Sequence, residues 1–478
     1  MTVLDTNKSI HRYFEEIAKI PHGSFKEEKI ANYLEDFAKE QNLDYIRDEM
    51  HNIIMYKPAS KGYENHEPVM LQGHMDMVNE KNNDSQHDFD NDPLDLYIED
   101  GFLKAKGTTL GADDGCGVVY MLAILSNKDL KHPPLDCVFT VQEEVGLIGA
   151  MHIQAKDIHA KRMIGLDSGN EKEVCISSSG GRRTIITKKL QWEENSNQTY
   201  TLVVKGLLGG HSGGEIDKER GNANKIAIRA MYHLLSNDIE IQLSNIHGGL
   251  KENAIPRECE ITFNSASSLE EINQIVNKVQ ADIQFELEFS DKDVSVKVKK
   301  TTSQTEVISS LHSKQIIQMM YIMPNGFMNK SLAIPGLTTV SLNMGVTRIE
   351  DKELKIYYSI RSPMASAKEE LSKQLDAIAS IFDCQTVVKN DYPGWQYDDN
   401  SPLRKQYISY VKQAENFDIQ SEASHGGLET GIFKGLIPEL DIITIGPDMY
   451  DIHTPDERLS LSSFDKCYNR LVGFLETL

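Results

Sequence analysis

The sequence predicts an α/β domain, a mostly parallel sheet between helices, interrupted by an inserted α+β domain in which helices cover an antiparallel sheet. Three observations carry this reading. Apolar runs alternate with helical patterns through the first third of the chain. From SSSGGRRT at 177–184 the text changes to strands with strict polar–apolar alternation, such as TYTLVVKG, ECEITFNS and VSVKVKK. After the YPGW turn at 392–395 the first pattern resumes. Alternating strand and helix signals belong to parallel sheets, and period-two alternation to antiparallel sheets with one covered face. The boundaries read as 1–182 and 390–478 for the discontinuous domain and 183–389 for the insertion. A chain of 478 residues is too long for one hydrophobic core, so two domains are expected.

Taken in order, Ser24 and Glu27 have capping-box spacing ahead of KIANYLEDFAKE, whose apolar residues recur at three and four. PVMLQG then reads as a strand, and NEKNNDSQHDFDNDP as a surface loop. YIEDGFLKAKG reads as a hairpin about Asp100-Gly101. GVVYMLAILS, PLDCVFTVQ and RMIGLDSG complete the first stretch. In the inserted part, NANKIAIRAMYHLLS, SLEEINQIVNKVQ, SKQIIQMMYIM and KEELSKQLDAIASIF are helical, and TTVSLNMGVTRIE with KELKIYYSIRS form a hairpin. LDIITIG is a last strand of the first domain.

The formal charge of −22 makes nucleic acid and anionic membranes poor partners. No run approaches the roughly 18–20 apolar residues needed to cross a bilayer, and MTVLDTNKSIHRYFEE lacks the character of a secretion signal. The six cysteines are scattered without a CxxC pair, which fits reduced thiols. A cytoplasmic location is the expectation.

Imidazoles and carboxylates gather where apolar runs of the first domain end. VMLQ leads to His74 and Asp76, DCVFTVQ to Glu143 and Glu144, MIGL to Asp167, and DIITI, through GPDMYD, to His453. Asp113 and Asp114 lie in GTTLGADDGCG, just before a helix, where Asp114 has an alternative as its N-cap. In an open parallel sheet the carboxyl ends of the strands face one crevice. Packed carboxylates without a cation raise one another's pKa steeply, and a mixed imidazole–carboxylate set suits zinc, manganese or cobalt. Such a set can hold two ions if one carboxylate bridges them. Asp76, two residues past His74, is placed to bond the far imidazole nitrogen. Adjacent Glu143 and Glu144 suit one ligand and one free base. No GxSxG elbow and no phosphate-binding Gly-Lys-Ser/Thr is present.

LQGHMDMV, GTTLGADDGCG, VQEEVGLIGA, GLDSGNE, HSGGEI, ENAIPREC and IHTPDER, in that order, resemble the Xaa-His dipeptidases (aminoacyl-histidine dipeptidases) of the co-catalytic di-zinc peptidase and acylase family. The resemblance runs from His74 to Arg458. It implies a catalytic domain interrupted by a lid and dimerisation domain, two zinc ions and a homodimer. Its implied ligands are His74, Asp113 as the bridge, Glu144, Asp167 and His453, with Asp76 supporting His74. Glu143 becomes the general base on a metal-bridging water. In the lid, His211 within GLLGGHSGGEI would bind the substrate carbonyl, and Arg361 at the end of KIYYSIRS its terminal carboxylate. Asn253, and Gly426 and Gly427 in SHGGLETG, are further substrate contacts. The implied reaction is hydrolysis of dipeptides ending in histidine, β-alanyl-histidine included. An N-acyl-amino-acid deacylase or a broad-specificity dipeptidase would use the same site, and a non-catalytic relative would keep only the fold.

Overall fold

The computed structural model describes residues 2–478, which divide into two units: residues 2–178, 395–423 and 428–478, and residues 179–394 with 424–427. The units part at 178/179 and 394/395, against the 182/183 and 389/390 read from the sequence, and the short segment Ser424–Gly427 goes with the second unit.

In the first unit, helices α1 (Ser9–Ile17) and α2 (Glu28–Gln41) precede an antiparallel pair, β1 (Asp44–Arg47) and β2 (Ile53–Lys57). β3 (Val69–His74) is buried at all its positions. The hairpin β4 (Leu96–Glu99) and β5 (Phe102–Ala105) turns on Asp100 and Gly101, both at positive φ, as its two-residue loop requires. α3 (Ala112–Ser126) is apolar on all sides and correspondingly buried. β6 (Leu135–Thr140), β7 (Arg162–Gly165) and β8 (Glu173–Ser178) follow.

The sheet runs β1-β2-β6-β3-β7, then Asp441–Thr444, then β8 and Gln420–Ser424. Its centre is parallel: β3 pairs with β6 on one side and β7 on the other, and β7 with Asp441–Thr444. β1 and β2 extend it antiparallel, as β8 does beside Asp441–Thr444. The expected α/β class with a mostly parallel core is therefore present. The capping box is not. The residue before α2 is Glu27, in helical conformation and without a side-chain cap, and Ser24 Oγ instead donates to Asp76 Oδ2 at 2.8 Å.

The second unit is built on a nine-stranded antiparallel sheet that contains Gly180–Lys189, Gln198–Lys205, Cys259–Ser265 and the long hairpin Thr338–Glu350/Glu353–Ser362. Helices Ala223–Ser236, Leu269–Glu286 and Ser310–Ile322 bury their apolar stripes in a core with Tyr200, Leu243, Phe263 and Met320. A full capping box does form here, between Ser268 and Glu271. Among the described residues no helix is long and apolar enough to cross a membrane.

Candidate metal centre

Five segments of the first unit bring their side chains together. His74 closes β3, Glu143 and Glu144 follow β6, Asp167 follows β7, Asp113 lies in the first turn of α3, and His453 follows Asp441–Thr444. Ligand atoms of His74, Asp113 and Asp167 lie within 4.8 Å of one another, as do those of Asp113, Glu144 and His453, and those of His74, Glu143 and Glu144. Asp113 is common to the first two groups. Its Oδ1 is 3.2 Å from His74 Nε2 and its Oδ2 is 3.2 Å from His453 Nε2, which also meets Glu144 Oε1 at 2.8 Å.

The surrounding bonds orient this set. His74 Nδ1 donates to the backbone carbonyl of Asp76 at 2.9 Å, while the Asp76 carboxylate stands 3.6 Å away. The far nitrogen of the imidazole is thus held by the main chain of Asp76, where the sequence reading had expected the side chain. The carboxylate accepts instead from Ser24 Oγ, from Glu143 N at 3.0 Å and from Glu144 N at 3.4 Å, so it fixes the Glu143–Glu144 loop. Asp114 Oδ1 accepts from Gly117 N at 3.0 Å, the N-cap bond weighed for it. Its Oδ2 packs so closely on Gly73 and Gly117 that a Cβ at either would fall within 2.5 Å of it.

Sequence reasoning missed two buried acids. Glu429 Oε2 accepts from Gln72 Nε2 at 2.6 Å and Thr140 Oγ1 at 2.5 Å, beneath the ends of β3 and β6. Glu457 accepts from the backbone of Leu110, Gly111 and Ala112. Both lie in motifs quoted above, SHGGLETG and IHTPDER; Glu429 could be suspected from the apolar helix that it opens, whereas Glu457 sits among exposed residues and gave no local signal.

The electrostatics fit a cation. Burial pushes the Glu143 carboxyl well above its ordinary range, against the pull of His74, and the charges of Asp167, Glu429 and Glu144 push the same way. Burial, and then the charge of Asp113, push Asp167 up to about 8. Hydrogen bonds to Asp113 and Glu144 raise His453 to about 10. Burial alone would depress His74, but the bond to Asp113 and the nearby Asp76 carboxylate outweigh it. Glu143 and Asp167 are pressed to take up protons and the imidazoles to keep theirs, a conflict that divalent cations among the same atoms would remove.

The other expected residues fall in the second unit. His211 ends the two-residue strand Gly210–His211 and pairs there with Ala254, and Ser212 N donates to Asn253 O at 2.8 Å, so His211 and Asn253 lie side by side. Arg361 Nη2 is 3.4 Å from His211 Nε2, and its buried Nε has no protein partner. Gly426 O accepts from Ser179 N at 2.9 Å, and a Cβ at Gly427 would strike the Tyr392 hydroxyl at 2.6 Å. Between these pieces lies His425, not anticipated from sequence, whose two ring nitrogens bond Ser179 Oγ at 2.8 Å and Ser341 Oγ at 2.7 Å.

A parallel-centred sheet carrying this acid–imidazole cluster, with a separate antiparallel unit, is the architecture of a metallopeptidase class. The family model "Peptidase family M20/M25/M40" matches residues 70–477, and the chain belongs to that family. It is 35% identical over 474 residues to the Escherichia coli (strain K12) cytosol non-specific dipeptidase, covering 97% of this chain and 96% of that one. The crystal structure of aminoacylhistidine dipeptidase from Vibrio alginolyticus superposes with a TM-score of 0.90 at 32% identity, covering 98% and 96% of the two chains. An aminopeptidase PepT from Bacillus cereus shares the fold at 15% identity, with a TM-score of 0.58 and coverage of 99% and 98%. The protein is thus an M20 metallopeptidase.

Proposed function

We propose that the protein is a di-metal dipeptidase that hydrolyses Xaa-His dipeptides, β-alanyl-histidine among them, in the cytoplasm and as a homodimer. The observation that carries this reading is the near full-length likeness to the Vibrio alginolyticus aminoacylhistidine dipeptidase. His74, Asp113 and Asp167 would hold one divalent ion, and Asp113, Glu144 and His453 the other, with Asp113 as the bridge. The imidazole–carboxylate set favours zinc, with manganese or cobalt as substitutes. Such ions polarise a peptide carbonyl and bring the pKa of an attacking water toward about 7.

Glu143 is the general base of this reading. Its backbone is held by Asp76, and its carboxylate can take the proton of the attacking water and later return it to the departing amine. Arg361, with a donor to spare, is suited to the substrate's terminal carboxylate, and His211 beside it to the carbonyl oxygen. Asn253, Gly426 and Gly427 are proposed as further substrate contacts.

The non-specific E. coli relative favours a second reading, a dipeptidase of broad specificity. One assay separates them: release of histidine from β-alanyl-histidine by the zinc-loaded enzyme, beside a panel of other dipeptides and N-acyl amino acids, with and without chelator. Chelator-sensitive turnover of Xaa-His substrates in preference to the rest supports the first reading. Equal turnover across dipeptides replaces it with the second, and turnover of N-acyl amino acids alone replaces both.

A further inference from the structure

The two halves of the acid–imidazole cluster are held in different ways. His74 ends the central strand of the sheet with its side chain 1% exposed. His453 lies at positive φ in the loop after Asp441–Thr444, with its side chain 44% exposed. That loop is internally tied: Thr454 Oγ1 donates to Asp451 O, Arg458 pairs with Asp451, and Glu457 N donates to Thr454 O. None of these ties says where the loop stands relative to Asp113.

Glu457 does. It is 2% exposed, and its carboxylate is fully engaged with the turn that opens α3. Oε2 accepts from Leu110 N at 2.7 Å and Gly111 N at 3.2 Å, and Oε1 accepts from Ala112 N at 2.8 Å. Gly111 stands at φ 68°, which lets successive N–H groups turn toward one acceptor. Asp113 is the next residue. One carboxylate therefore joins the loop that carries His453 to the turn that carries Asp113, through three charge-assisted bonds.

We propose that Glu457 is a positioning residue for the half of the metal centre made by Asp113, Glu144 and His453, and that it sets the affinity of that half more strongly than that of the half made by His74, Asp113 and Asp167, because it holds both the loop of His453 and the turn of Asp113. The proposal rests on the two-ion reading above. Groups that orient metal ligands typically govern affinity by 10–100-fold, and strands β3 and β7 carry His74 and Asp167, so the other half shares with the joined segments only Asp113.

The test is zinc titration of the full chain against a competing chelator, for wild type, Glu457→Gln and His453→Ala. Gln keeps the shape but sets an NH2 against an N–H donor, because both oxygens of Glu457 are in use. His453→Ala identifies the step that belongs to its half. The expected result is that E457Q weakens that same step about 10–100-fold and the other, which shares Asp113, by a clearly smaller factor. Turnover lost at limiting zinc should return at excess zinc. Equal weakening of both steps, or of neither, overturns the proposal but leaves the two-ion reading standing. A wild type that takes up fewer than two ions overturns both. If E457Q does not fold, Glu457→Asp, which keeps both acceptors but draws them back by one methylene, decides by the same selective loss or its absence.

Discussion

An aspartate that accepts one hydroxyl and two amide protons is an organiser of backbone, and Asp76 does this for the loop that bears Glu143. Changing Glu143 to Ala removes the proposed base without touching those bonds or the two ligand groups that share Asp113. Turnover should fall by several orders of magnitude while zinc content stays unchanged. Retained turnover, measured beside metal analysis, would take Glu143 out of its role. Single residues were also where the sequence was hardest to read. His74, Glu144, Asp167 and His453 could be grouped because each lies past an apolar run, and Asp113 joined them from the turn just before a helix. Ser24 could not, since its partner lies 52 positions away and local spacing suggested a helix cap. Glu457 was hidden for the same reason, its acceptors being spent on amides about 345 positions upstream.

Elements were far more legible than their connections. Asp100-Gly101 announced its hairpin because a two-residue turn demands positive φ. The strands of the second unit showed themselves by alternation, which one-sided burial enforces. The place of Ser424–Gly427 was invisible, because it depends on His425 joining Ser179 to the strand Thr338–Glu350. Burial, and then the nearby charge of Arg361, hold His425 down to about 3, with His211 acting in the same direction. An unfolded histidine titrates near 6.5, so below that pH the unfolded chain gains a proton that the folded chain refuses. The resulting loss of stability grows as pH falls from about 6.5 toward 3, by up to about 1.4 kcal/mol per pH unit, and is absent above 6.5. Urea midpoints of wild type and His425→Asn should therefore converge as pH falls through this window. Parallel curves would show that His425 is not held neutral.

At the scale of the whole molecule, a bound metal is part of the first unit's stability, because the ions counter the mutual repulsion of buried acids. A ligand at about 100 times its Kd adds about 2.7 kcal/mol to the folded state. Chelation should thus lower the thermal midpoint by several degrees, and zinc should restore it, as calorimetry would record. An unchanged midpoint would separate metal from folding.

The first unit is also discontinuous, and that has a consequence during synthesis. β7 has β3 on one side and, on the other, Asp441–Thr444, which emerges from the ribosome some 276 residues later. Until then β7 offers an unpaired parallel edge, the kind of surface on which nascent chains join one another. His453 arrives later still, near the end of a 478-residue chain. A product cut short before it holds Asp113 and Glu144 without the imidazole that faces both, and on the proposed reading it lacks a ligand of one ion. Such a fragment would be a substrate for chaperones and proteases.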